Sequence, residues 1–310
     1  ADPVIYQAIA SDDDRLRALE QGEVDLVTDL PGQRIPALKR LPGLQVHTDV
    51  SQRTLLIGMD QFSDSLRYGH TGMGNPFRYQ PAGTIVAPGV NGWTEALDRR
   101  EATNLRQARQ LMAQAGHAAG FKVTLDCPNN RYAYDQQICQ ALVPMWARIG
   151  IRVKINSLPF ASLVPKLETL DSSLWMLGWG SPDFDALQNL LSLAYTRSDK
   201  VDGTYNAARI SDPKLDRLID QARYENNPIK RTGLLQQALE IVKTQSYYLP
   251  LAHAMRAWVM QRSISLVVPP SERPEMRFVI VTGRRAGVSD TAPAAPDRTG
   301  RNQPAGARNK

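Results

Sequence analysis

Apolar positions recur along this chain with two periods, close to two and close to 3.6 residues, and the two alternate. Residues 4–9 (Val4-Ile5-Tyr6-Gln7-Ala8-Ile9) read as a strand. Asp12, Asp13 and Asp14 suit the first turn of a helix whose apolar face is Leu16 and Leu19, and Gly22 stops it. Val24 to Val27 is a short strand, Ile35, Leu38 and Leu41 follow at helical spacing, and Leu44–Val50 and Thr54–Met59 look like two separate strands. Residues 60–104 are dense in glycine and proline and lack helical periodicity, so a loop is expected. From Asn104 the pattern sharpens. Leu105, Ala108, Leu111, Met112 and Ala115 make a helical stripe ended by Gly116, and Phe121–Leu125 alternates as a strand. Asp135 is placed to cap a helix carrying Ile138, Leu142, Met145, Trp146 and Ile149, and Ile151–Ile155 alternates again. A weaker helix over 160–170 leads into an apolar strand over 173–179. Strand and helix in this order predict parallel pairing through right-handed crossovers.

Further on, Leu187–Leu193 reads as a helix. Asp212-Pro213 and Asn227-Pro228 each pair a capping side chain with a proline at the first turn, ahead of two amphipathic helices. Tyr247–Leu251, Ala257–Met260 and Met276–Val281 read as strands, and the folded part is expected to end near Gly283. The fold class is therefore α/β.

Composition narrows the function. The chain has 310 residues, 42% hydrophobic and 22% charged, a globular balance with room for two domains. Of the net charge of +6, four units lie beyond Gly283, in a tail of Ala, Pro, Gly, Arg and Asn that is expected to be disordered. The rest is close to neutral, which argues against a nucleic-acid partner. No apolar run has membrane length. The chain starts at Ala1 without a secretory apolar segment, and it is read as a processed or incomplete product. The histidines His47, His70, His117 and His253 are scattered, so no metal site and no cofactor are expected. Cys127 and Cys139 pair in an oxidising compartment or pack as small hydrophobes in a reducing one. Gly69-His70-Thr71-Gly72-Met73-Gly74 lacks the Lys-Ser/Thr and the helix of a phosphate loop.

The candidate chemistry gathers around Leu174–Asp185. An apolar run ends in Gly178-Trp179-Gly180 and turns through Ser181-Pro182-Asp183, at the kind of strand end where open α/β sheets bind ligands. The plainer alternative is a buried strand followed by an ordinary capped turn. Gly178-Trp179-Gly180-Ser181-Pro182 puts its serine in the wrong place for a hydrolase elbow, and Asp183 and Asp185 lie on one turn rather than across a cleft.

Several stretches in order carry a resemblance. They are Leu19-Glu20-Gln21-Gly22-Glu23-Val24-Asp25-Leu26, Ala108–Gly116, Ile149-Gly150-Ile151-Arg152-Val153, Leu177-Gly178-Trp179-Gly180 with Asp185, Ser211–Leu218 and Leu249-Pro250-Leu251. Together they resemble the family-5 extracellular solute-binding proteins, the peptide, oligopeptide and nickel binders of bacterial ABC importers. Leu125–Tyr132 suggests a peptide-binding branch. The resemblance implies a periplasmic-binding-protein-like, two-lobed architecture with the second lobe largely complete and the first partial. The expected division is 1–65 first-lobe remnant, 66–103 loop region, 104–255 second lobe, 256–283 return to the first lobe, and 284–310 tail. Relative to the family the chain starts part-way through the first lobe, and a helix after Asn75-Pro76-Phe77-Arg78 is missing, so truncation and an internal deletion near Arg78 are expected.

The implied function is binding rather than catalysis. The chain would be the substrate-binding component of an ABC importer, a periplasmic or otherwise extracytoplasmic monomer that encloses a short peptide or related small solute and delivers it to permease subunits. Implied ligand contacts are Trp179, Gly180, Ser181, Asp183 and Asp185. Asp183 is the candidate partner of a peptide's α-amino group. Asn130, Arg131 and Tyr132 follow a strand end in the same lobe, with Arg131 the candidate partner of a ligand carboxylate. The rival readings are a remnant or interaction module that binds no solute, and a hydrolase.

Overall fold

Two long strands carry the molecule. In the computed structural model, which describes residues 4–28, 30, 34–60, 79–100, 102–198, 201–266 and 279–282, β2 runs unbroken over Leu44–Met59 and β7 over Tyr248–Gln261. They pair antiparallel along nearly their whole length, with register shifts between Val50 and Thr54 and between Leu55 and Leu56. The sequence predicts two strands in each place. The polar interruption Ser51-Gln52-Arg53 breaks the apolar pattern of β2, but the shift in register absorbs it and the ladder continues.

The other strands add to this pair. β1 (Leu26–Thr28) lies antiparallel to β7, and β6 (Leu174–Gly180) antiparallel to β2. β4 (Phe121–Pro128) runs parallel to β6 and to β5 (Ile151–Leu158), as the alternation of strand and helix predicts. The order across the sheet is β1-β7-β2-β6-β4-β5, and the short β3 (Tyr79–Pro81) also pairs with β7. β8 (Ile264–Leu266) and β9 (Val279–Val281) form a separate two-stranded sheet. Residues 276–278 of the last predicted strand lie outside the described residues.

The large end of the sheet is buried on both faces. Leu55 and Ile57 of β2, Leu125 of β4 and Met176 of β6 share one face, covered by α4 (Leu105–Gln114) and α5 (Asp135–Ala147). Leu56, Trp175, Leu177 and Tyr248 share the other. That face is covered by α6 (Phe160–Glu168), α7 (Ala186–Asn189) with the π-helical turn Leu190–Ala194, α8 (Pro213–Tyr224) and α9 (Pro228–Thr244). Asp212 and Asn227 cap α8 and α9 as the Asp-Pro and Asn-Pro pairs predict. The outer halves of β2 and β7 belong to a smaller core with β1, α1 (Asp12–Glu20) and α2 (Ile35–Leu38), centred on Leu19, Leu30 and Val259.

Three other expectations need correction. Residues 4–9 form no strand: no strand among the described residues pairs with them, and Ile5 is 82% exposed. The stretch from 79 to 100 is not structureless, since it holds β3 and α3 (Glu95–Asp98), which Thr94 caps through the amide of Leu97. The N-cap of α5 is Tyr134, in the left-handed region at φ 58°, while Asp135 is already helical and turns its carboxylate back onto the preceding loop. Gly69–Gly74 and the C-terminal tail lie outside the described residues.

Candidate functional site

The parallel strands β4, β5 and β6 end on the same edge of the sheet, level with the register shift in β2. Two loops leave that edge, residues 129–134 after β4 and 181–185 after β6, and every sequence-predicted site residue lies on one of them or at the end of β6.

The first loop is held from inside. Asp135, 5% exposed, accepts hydrogen bonds from the amides of Arg131 (3.0 Å) and Tyr132 (3.2 Å). The Asn130 side chain accepts from the Phe160 amide at 2.9 Å, capping α6 from across the loop, because Pro159 offers no cap of its own. Beneath the loop a disulfide joins Cys127 to Cys139, tying the end of β4 to α5. Tyr132 reaches β6, where the Gly178 amide donates to its hydroxyl at 2.8 Å. A Cβ at residue 178 would lie 2.7 Å from the Tyr132 ring, so glycine is what lets the ring dock there. Arg131 stays exposed, with its guanidinium 5.3 Å from the Phe160 ring centroid and 5.9 Å from that of Tyr132, and no carboxylate pairs with it among the described residues.

The second loop is held by charge. Arg231 of α9 grips Asp185 with both terminal guanidinium nitrogens, Asn91 donates to the same carboxylate at 3.0 Å, and the Leu187 amide donates at 2.9 Å as α7 begins. Burial alone would raise the Asp185 carboxyl, but these partners more than offset it and hold it below the ordinary carboxylate range. Ser181 is fully buried and donates to Asn189 at 2.8 Å. Asp183 is exposed and accepts only weakly, from the Asp185 amide at 3.4 Å. Trp179 is half-buried against Tyr205, ring centroids 4.9 Å apart, and its Nε1 is sealed from solvent with no partner among the described residues.

The eight predicted residues therefore divide by the jobs their side chains do. Asn130, Tyr132, Ser181 and Asp185 are committed to holding the loops. Arg131 and Asp183 present charge outward, Trp179 lies half-buried against Tyr205, and Gly180 offers main chain. The residue types alone miss Arg53, which donates to the Gly178 carbonyl at 3.0 Å and lies 5.8 Å from the Tyr132 ring centroid. They also miss Phe160 and Tyr205. The signal for Arg53 is the polar interruption inside an otherwise apolar strand.

Behind the site a hydroxyl, an imidazole and a carboxylate line up. Thr54 Oγ1 lies 2.9 Å from His253 Nδ1, and His253 Nε2 lies 3.0 Å from both oxygens of Asp98. Thr54 and His253 are fully buried, so the chain braces β2, β7 and α3 from within instead of facing a substrate. Burial alone would raise the Asp98 carboxyl, but its hydrogen bonds to His253 and the Gly83 amide bring it below the usual value.

The model of the family described as "Bacterial extracellular solute-binding proteins, family 5 Middle" matches residues 73–200, which include both loops. Over that stretch the chain is similar to the family-5 extracellular solute-binding proteins. Di/tripeptide-binding protein 1 of Pseudomonas aeruginosa (strain UCBPP-PA14) is 28% identical over 192 residues, covering 60% of this chain and 35% of that protein. The probable deoxycholate-binding periplasmic protein YgiS of Escherichia coli (strain K12) is 26% identical, covering 77% of this chain and 48% of the relative. The periplasmic binding protein DppA of Helicobacter pylori, solved with the peptide STSA, superposes with a TM-score of 0.75 at 19% identity, over 89% of this chain and 56% of that one. The fold of this chain is thus that of the periplasmic binding proteins, with partial lobes. The chain spans about a third to a half of the length of these curated relatives.

Proposed function

We propose that this chain binds a short peptide, or a related small solute, at the edge formed by the loops after β4 and β6, as the substrate-binding component of an ABC importer outside the cytoplasm. The observation that carries the reading is the pairing of opposite charges on rigid supports: Arg131 and Asp183 are exposed on two loops whose other side chains hold them in place. In this reading Arg131 takes a ligand carboxylate, Asp183 an α-amino group, and Trp179 with the main chain at Gly180 the body of the ligand. Residues 104–255 act as the second lobe, and 1–65 with 256–283 as part of the first. Closure of the lobes about β2 and β7 would commit the ligand before docking to permease subunits. One feature favours an extracytoplasmic setting: Cys127 and Cys139 are joined as a disulfide.

The test is a thermal melt of the purified chain with and without a pool of di- and tripeptides. A bound peptide at about a hundred times its Kd adds about 2.7 kcal/mol, a shift of several degrees. A cooperative melt that no peptide moves overturns the reading and favours an interaction module built on the same fold.

A further inference from the structure

Gln52 lies in the stretch where β2 changes register against β7, between Val50 and Thr54. It is 7% exposed, and no hydrogen bond is made by its side-chain amide among the described residues. Its Oε1 is sealed from solvent without a donor. A buried carboxamide oxygen left without a donor is destabilising, and such a group calls for an occupant that supplies one. Its position says which occupant. Gln52 lies over the last residue of β6: a Cβ built on Gly180 would come 3.8 Å from the Gln52 Cγ. The next residue, Arg53, pairs with Gly180 in the β2–β6 ladder and donates to the Gly178 carbonyl. The orphan oxygen is therefore part of the same edge as Trp179, whose indole N–H is a second orphan.

We propose that Gln52 is a recognition residue for the bound solute, its amide oxygen accepting a hydrogen bond from a neutral backbone N–H of a peptide. The proposal rests on the peptide-binding reading above. The neutral N–H is selected over the terminal ammonium by local charge. Gln52 carries none, and its neighbour Arg53 is cationic, so an ammonium there would be desolvated beside a like charge. The ammonium has a carboxylate available at Asp183 on the second loop. The assignment gives the site a preference that charge alone cannot: peptides over esters of the same shape and charge.

The experiment uses the full chain, calorimetry, trialanine, and two trialanine analogues in which each amide N–H in turn is replaced by an ester oxygen. Wild type should bind trialanine and lose about tenfold in affinity toward one ester, the size of one net hydrogen bond. Gln52→Met should bind trialanine about tenfold more weakly and no longer distinguish that ester from the peptide. Its urea midpoint without ligand should be unchanged or higher, because the substitution removes an unsatisfied amide. Trialanine binding with equal affinity in wild type and Gln52→Met overturns the role of Gln52 and leaves the peptide reading standing. A lowered urea midpoint in Gln52→Met, with ester discrimination retained, means that a buried water satisfies the amide and likewise overturns it. No binding of trialanine by wild type at millimolar concentration removes the peptide reading and this proposal with it.

Discussion

The loop after β4 and the loop after β6 do similar work with different fastenings. Each presents one exposed charged side chain, Arg131 on the first and Asp183 on the second, and each spends the neighbouring polar side chains on holding that presentation fixed. The first loop is tied by neutral hydrogen bonds that Asn130 and Tyr132 accept from backbone amides, by the buried Asp135, and by a covalent link, Cys127–Cys139, at its base. The second is tied by an ion pair, Asp185–Arg231, whose side chains are 16% and 24% exposed. A recognition charge is useful only if its geometry is set before the ligand arrives, and the difference lies in what each support is sensitive to. The first should fail with redox state, the second with pH.

The sharpest way to break the comparison is to remove the second support. Asp185→Ala leaves the Arg231 guanidinium without its carboxylate partner, strips the N-cap from α7 and removes the acceptor of the Asn91 side-chain amide. Removing one partner of such a part-buried pair costs about 3 kcal/mol, and the urea midpoint should fall accordingly. The pH dependence has a definite sign. The Asp185 carboxyl titrates below its unfolded value in the native state, so its contribution is fully present above the unfolded value, near pH 4, and is lost as pH falls through the native one. Asp185→Asn should therefore flatten part of the acid-side loss of stability. The remaining slope belongs in part to Asp98, whose carboxyl is also held low against His253. An unchanged acid profile in Asp185→Asn would mean that the second loop is not held by charge.

Removing the first support should cost somewhat less and respond to a different variable. Cys127 and Cys139 are separated by 12 residues, a short closed loop for which the chain-entropy account gives about 2–3 kcal/mol. The Cys127→Ala, Cys139→Ala double variant should lose that much in urea. Dithiothreitol should lower the wild-type midpoint and leave the double variant unmoved. The Asp185 variants should keep the full reductant response, since the two fastenings share no residue. If reductant acted equally on wild type and the double variant, the covalent tie would not be what steadies the first loop.

The fastenings were also what the residue pattern conveyed least well. The helical stripes of α4, α5, α8 and α9, the Asp-Pro and Asn-Pro caps, and the parallel run β4–β5–β6 were legible because each rests on neighbours close in sequence. The continuity of β2 was not, because Ser51-Gln52-Arg53 looks like the end of a strand unless the partner β7 is known. Val4–Ile9 has the composition of a strand, but no strand among the described residues pairs with it. Within the site, Asp183 and Asp185 are two residues apart and chemically identical, and what separates them is Arg231, distant in sequence. Ser181 turns inward because Asn189 waits there, and Tyr132 is an anchor because residue 178 has no side chain. Local sequence pointed to both loops. The division into supports and contacts needed the tertiary partners.

The smallest effect on stability should accompany the clearest effect on binding, at the two exposed charges themselves. Arg131→Gln and Asp183→Asn each alter one side chain that nothing in the described structure depends on beyond two ring contacts for the first and a 3.4 Å amide contact for the second. Surface changes of this kind stay within about 0.5 kcal/mol of wild type. In the proposed binding mode each removes one charge-assisted hydrogen bond to a ligand terminus, about 1.5–3 kcal/mol or more than tenfold in affinity. The two should separate by ligand. Arg131→Gln should lose affinity for a peptide with a free carboxylate and be indifferent to its C-terminal amide. Asp183→Asn should lose affinity for a free amine and be indifferent to its N-acetyl form. Calorimetry of the four combinations decides it. If both variants bind every form as wild type does, the two loops present their charges to something other than the ends of a peptide. The similarity of the loops would then reflect the packing of strand ends alone.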